Sequence, residues 1–121
     1  MSIRIAGTGS YVPDKVLTNA DLEKMVETSD EWIRTRTGIQ ERRIAAPDQA
    51  TSDMAYIAGS RALEMAGVKG EELSAIIVAT ITPDHVFPGT GCLLQKRFGA
   101  PGAFCFDLEA ACCIRSKWPI R

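Results

Sequence analysis

Apolar and polar residues alternate over Ile3 to Ala6 before Gly7-Thr8-Gly9, which predicts a first strand running into a turn. Thr18-Asn19-Ala20-Asp21 has the form of a helix cap, and Leu22, Met25 and Val26 follow it at helical spacing. Ser29-Asp30-Glu31 announces a second short helix. Its hydroxyl can cap, its two acids suit the positive end of the helix dipole, and Gly38 supplies the stop. Arg43 to Ala46 reads as a brief strand closed by Pro47-Asp48. The strongest helix pattern comes next: Thr51-Ser52-Asp53 as its cap, Met54, Ile57, Ala58 and Ala62 on one face, and Gly67 at its end. Ala75 to Thr80 is apolar on both faces, the signature of a fully buried parallel strand. Gly89 to Phe98 predicts a further helix, with Lys96 and Arg97 in its last turn and Gly99 behind it, and Phe104 to Leu108 a further strand. Strands alternating with helices give an α/β class with a largely parallel sheet.

Composition adds bounds. The 121 residues are 45 % hydrophobic and 24 % charged, ordinary for one soluble globular domain with a real core. The net charge of −1, without a basic cluster, argues against nucleic-acid or membrane-surface partners. The start reaches glycine too soon for a signal peptide, and the apolar run from Ala75 to Ile81 is too short to span a bilayer. A cytoplasmic location is expected. No repeat, linker or low-complexity stretch is visible.

The four cysteines, at 92, 105, 112 and 113, form no Cys-x-x-Cys pair, and the single histidine, His85, is not spaced to share a metal with them. No metal site is expected, and the thiols read as reduced. Cys92 and Cys105 fit the role of small buried hydrophobes. Gly7-x-Gly9 lacks the third glycine of a dinucleotide fingerprint, because Val12-Pro13 stands where a helix would open, so it reads as a turn.

Ser29 to Ile39 supports two readings. It is a capped amphipathic helix with an exposed tryptophan and a basic end. Equally, an aromatic plane beside two arginines offers a nucleotide a stacking surface and paired cations. Cys112 is similarly open. A buried inert thiol is the simpler assignment. Against it, Phe104 to Leu108 followed by the small Ala110-Ala111 can turn the chain and present Cys112 at a helix start, where a thiolate is stabilised and backbone amides can hold an oxyanion.

Several segments, taken in order, carry a family resemblance. They are Thr28-Ser29-Asp30-Glu31-Trp32-Ile33, Arg36-Thr37-Gly38-Ile39, Glu41-Arg42-Arg43, Ala62-x-x-Met65-Ala66-Gly67, His85-x-Phe87-Pro88 and Phe106-Asp107-Leu108-x-Ala110-Ala111-Cys112. Together they closely resemble the β-ketoacyl-acyl-carrier-protein synthase III family, thiolase-like condensing enzymes. The resemblance covers residues 1–112 and implies a partial amino-terminal thiolase-like half, the incomplete first half of a layered α/β/α/β/α fold. It implies an initiating condensation in which acetyl-CoA or another acyl-CoA acylates a cysteine. Malonyl-acyl-carrier protein then loses CO₂, and its carbanion attacks the acyl group. Acyl-CoA is thus a substrate, and no cofactor is implied.

By the same resemblance Cys112 is the nucleophile. Trp32 stacks on the CoA adenine with Thr28, Arg36 and Thr37 nearby, and Phe87 sits at a homodimer interface, reaching toward the partner's acyl pocket. His85 belongs to the loop before Phe87 and is structural, the family's catalytic histidine and asparagine lying downstream. After Cys112 the family continues with a small residue, glycine and an aromatic. Here Cys113-Ile114-Arg115-Ser116-Lys117-Trp118-Pro119-Ile120-Arg121 places three cations and a proline where a buried helix should open. Residues 113–121 are therefore a tail outside the family pattern, which suggests a shifted reading frame or truncated gene copy. On that view the chain is a catalytically inactive fragment. A related condensing enzyme with a different acyl starter is the other alternative.

Overall fold

A computed structural model describes residues 2–109 of the chain, which divide into two compact units. The smaller, Val12–Gln49, contains β1 (Lys15–Thr18), α1 (Asn19–Glu23), α2 (Asp30–Thr37) and β2 (Glu41–Ile44). β1 and β2 pair antiparallel, in the register Lys15 with Ile44 through Thr18 with Glu41. The strand expected at 43–46 thus begins two residues earlier, because β1 gives partners to Glu41 and Arg42. The expected cap of α1 is present: the Thr18 hydroxyl accepts from the Asp21 amide at 3.2 Å, and Asp21 Oδ2 accepts from the Thr18 amide. The helix closes at Lys24, before Met25 and Val26, which are exposed. Ile33 of α2 and Asn19 of α1 are the buried anchors of this unit's two helices.

The larger unit combines residues 2–11 with 50–109. Its elements are α3 (Thr51–Ala66), a 3-10 turn at Gly70–Glu72, β3 (Ala75–Ala79), α4 (Thr90–Phe98) and β4 (Phe104–Leu108). β3 and β4 are parallel, from Ala75 opposite Phe104 to Ala79 opposite Leu108, with α4 in the crossover. This is the β-α-β arrangement that the alternation predicted. Ile76, Leu94, Ala100 and Ala103 form the buried core, and Tyr56, Leu73, Val78 and Phe98 pack around it. Phe98 lies 5.2 Å from Tyr56, centroid to centroid, joining α4 to α3.

Three expectations need correction. Residues 3–6 form no strand, because among the described residues no neighbouring strand pairs with them, and Ile3 and Ile5 are exposed. The segment lies along α3 instead. A side chain at Gly7 would meet the Ala66 amide nitrogen at 2.9 Å, and one at Gly9 the Ala62 amide nitrogen at 2.6 Å. Only glycine lets backbone approach backbone this closely. Second, the cap residue of α3 is Ala50, one position before Thr51. Ala50 has no side-chain oxygen to cap with, so the Asp53 carboxylate accepts from the Ala50 amide, and Asp84 from the loop after β3 accepts from the Ser52 amide at 2.8 Å. The Thr51 hydroxyl donates away from the helix, to the Thr82 carbonyl. Third, β3 is buried only at Ile76, while Ile77 is 56 % exposed. Within the described residues the helices cover one face of this sheet.

Candidate functional site

The residues singled out on sequence grounds gather mainly on α2. Ser29 starts the helix by accepting from the Trp32 amide at 3.1 Å, and Glu23 accepts from the Asp30 amide at 2.6 Å. Gly38 ends it in the left-handed conformation, φ 72°, with its amide donating to the Arg34 carbonyl. Fixing both ends orients the intervening side chains.

Trp32 is 54 % exposed. Arg36, one turn later, places its guanidinium carbon 4.9 Å from the Trp32 ring centroid, a cation–π contact. On the amino-terminal side, Glu27, Thr28, Ser29 and Trp32 line a groove of about 290 Å³. Thr28, Trp32 and Arg36 therefore form one continuous patch: a hydroxyl, an accessible indole face and a cation.

Thr37 is placed differently. Its hydroxyl donates to the Ile33 carbonyl at 2.7 Å and accepts from the Ile39 amide at 3.1 Å, so it secures the end of α2. Phe87 lies in the larger unit, on the loop between β3 and α4, 89 % exposed and followed by a cis bond to Pro88. His85 is exposed on the same loop. Cys112 lies outside the described residues, as do Cys113 and the 113–121 segment.

The same unit holds a polar network that sequence reasoning missed. Asn19, 2 % exposed, donates to Asp30 Oδ1 at 2.7 Å and to the Ile39 carbonyl at 2.8 Å. Its own carbonyl accepts from Arg42 Nη1 at 2.6 Å. One amide thus joins the start of α2, the turn after it and β2. The hydrogen bond from Asn19, helped by Arg34 at 3.4 Å, holds the Asp30 carboxyl below its ordinary value of 3.8. An asparagine inside a cap motif looks like turn chemistry, and nothing in the local pattern marks it as the centre of a network.

In the larger unit, Asp107 at the end of β4 accepts from the Thr90 and Gly91 amides at 2.6 and 2.7 Å, capping α4 across the sheet. Cys92 and Cys105 are not the buried small hydrophobes expected: Cys92, in the first turn of α4, is exposed, and Cys105, on β4, is half-buried. Among the described residues no group of three histidine, cysteine or acidic side chains is arranged to hold a metal ion. No described helix is long and apolar enough to cross a membrane.

No family model matches the chain. Solved structures do. A 3-oxoacyl-(acyl-carrier-protein) synthase III from Aquifex aeolicus superposes with a TM-score of 0.82 at 53 % identity, over 88 % of this chain and 34 % of its own. The priming β-ketosynthase of the R1128 polyketide pathway gives 0.83 at 39 %, over 88 % and 32 %. The class is therefore that of the thiolase-like condensing enzymes, in its amino-terminal part.

Among curated proteins, β-ketoacyl-(acyl-carrier-protein) synthase III of Xanthomonas campestris is 62 % identical over 109 residues, 90 % of this chain and 34 % of the relative. That of Geobacillus kaustophilus is 61 % identical over 112 residues, 93 % and 36 %. The chain belongs to the β-ketoacyl-(acyl-carrier-protein) synthase III family, as its amino-terminal part. It spans about one third of the length of the curated relatives it matches.

Proposed function

We propose that this chain supplies the coenzyme A contact and the acyl-accepting cysteine of an initiating condensation in fatty-acid synthesis. In that reaction acetyl-CoA acylates Cys112, and decarboxylated malonyl-acyl-carrier protein takes the acyl group to give acetoacetyl-acyl-carrier protein. The observation that carries the reading is the identity of about 62 % to curated synthases III over nine-tenths of the chain. The α2 patch supports it chemically. An adenine is a flat, polarisable ring that stacks on an exposed indole, and a cation beside the ring suits the phosphates of the same nucleotide.

In this reading Trp32 stacks on the base, Arg36 holds the ring from one side and attracts phosphate, and Thr28 offers a hydroxyl from the groove lining. Thr37 stands near the nucleotide while its hydroxyl secures the end of α2. Phe87 reaches a second copy of the protein in a homodimer. Cys112 attacks the thioester carbonyl as a thiolate, CoA leaves as its own thiolate, and an acyl-cysteine results. The setting is the cytoplasm, where acyl-CoA and acyl-carrier protein meet. A related condensing enzyme with a different acyl starter is the second reading, and the likeness to a priming β-ketosynthase of a polyketide pathway, at 39 % identity, keeps it open.

Incubation of the purified chain with labelled acetyl-CoA, followed by intact-mass measurement and peptide mapping, tests the acylation step. An acetyl group on Cys112, absent from Cys112→Ala, is expected. Folded chain that acquires no acetyl group would sink the claim that these residues suffice for acyl transfer, and would favour a catalytically inactive fragment. A series of longer acyl-CoA substrates, compared by acylation rate, separates the acetyl starter from the others.

A further inference from the structure

The helix α4 and the strand β4 bring two thiols together that the condensing chemistry does not use. Cys92 Sγ and Cys105 Sγ are 3.2 Å apart, although thirteen positions separate them in sequence. The packing that causes this is tight: a side chain added at Gly91 would meet Cys105 Cβ at 3.4 Å and the Phe106 amide nitrogen at 3.3 Å. The first turn of α4 is further pinned to β4 by the Asp107 carboxylate, which accepts from Thr90 and Gly91. The pair is thus held by two rigid elements. Closing the sulfurs to a disulfide bond of about 2.05 Å needs a movement of only about 1 Å.

The two thiols have different surroundings. Cys92 is exposed, in the first turn of α4. Cys105 is half-buried, and its Sγ points toward Gln95 Oε1 at 3.7 Å. The neighbouring Cys92, burial and the Asp107 charge together push the Cys105 thiol up. One sulfur is reached from solvent, and the other lies behind it within reach.

We propose that Cys92 and Cys105 are a redox-active dithiol that closes to a reversible disulfide by exchange with a low-molecular-weight disulfide such as oxidised glutathione. Cys92, as thiolate, attacks one glutathione sulfur and the other glutathione leaves as a thiolate. Cys105 then gives up its proton to water and attacks Cys92 Sγ, displacing the second glutathione. Two protein thiols lose two protons and two electrons, and one glutathione disulfide becomes two thiols. The product staples the start of α4 to β4, while the open form leaves them joined by hydrogen bonds and packing alone.

The test equilibrates the full chain, with Cys112 and Cys113 replaced by serine to remove competing thiols, across a series of glutathione redox buffers. Remaining thiols are trapped with N-ethylmaleimide, and peptides are mapped by mass. Expected are loss of maleimide from Cys92 and Cys105 together, a Cys92–Cys105 linked peptide, and return of both thiols on adding dithiothreitol. Cys105→Ala should stall the reaction at a glutathione adduct on Cys92. A parallel sample in concentrated urea shows what the sequence alone does. Pairing as ready in urea as in the folded chain overturns the proposal, as does trapping of both thiols by maleimide in excess oxidised glutathione. A persistent glutathione adduct on Cys92 in the presence of Cys105 overturns it equally.

Discussion

Asn19 shows how much one side chain can settle. From a buried position it bonds a carboxylate, a carbonyl and a guanidinium that belong to three different segments. Asn19→Ala removes all three partners at once and should cost about 2–3 kcal/mol, the sum of a few net hydrogen bonds including charged ones. Urea unfolding followed by circular dichroism gives the value, and an unchanged midpoint would show the network to be idle. Trp32 poses the complementary question, since its indole is exposed and stabilises little by burial. On the proposed function, Trp32→Ala should weaken CoA binding by roughly tenfold, matching the loss of about 1–3 kcal/mol from one stacked base. Calorimetric titration with CoA reads this, while the urea midpoint should stay nearly fixed. At this scale the sequence was legible where chemistry is local. Ser29 as cap and Gly38 as stop could be read directly, because each bonds within a few residues. Asn19 to Arg42 spans 23 positions, and no spacing rule connects them.

Elements are fixed largely by their ends, and the two longer helices of the larger unit borrow theirs from elsewhere in the chain. α4 starts at Gly89, which has no side chain, and Asp107 from β4 supplies the acceptors. α3 starts at Ala50 and relies on Asp53 and on Asp84 from a distant loop. Asp107→Ala should therefore loosen α4 specifically, at a cost of about 2 kcal/mol for two charge-assisted bonds to helix amides. Amide hydrogen exchange would show faster exchange at Thr90 and Gly91, with α2 unaffected. Equal loss of protection across both units would instead point to global unfolding. The helices themselves were legible from apolar spacing and terminal glycines, and the parallel β3–β4 pair from the alternation of strand and helix. The strand expected at 3–6 failed because a strand is a property of two segments. An alternating pattern cannot show whether a partner lies alongside.

Across the whole molecule, the stabilising charges share one design, and it sets how the chain responds to acid. Asp21, Asp30 and Asp53 each lie in the first turn of a helix, and each has its pKa lowered from 3.8. The leading causes are hydrogen bonds from the Thr18 hydroxyl, the Asn19 amide and the Ala50 backbone respectively. A carboxyl whose folded value lies below its unfolded one is held in the charged form by folding, so unfolding takes up protons in acid. The contribution is complete above the unfolded value, at about pH 5 and higher, and declines as pH falls through about 4 toward the folded values. Stability should thus be level between about pH 5 and 7 and drop below about pH 4, in both units, because the three acids are divided between them. Urea midpoints measured across this range test the sign. Replacing all three acids by asparagine should lower stability near neutrality and flatten the acid limb. A steep acid limb retained in that variant would assign the transition to other carboxyls.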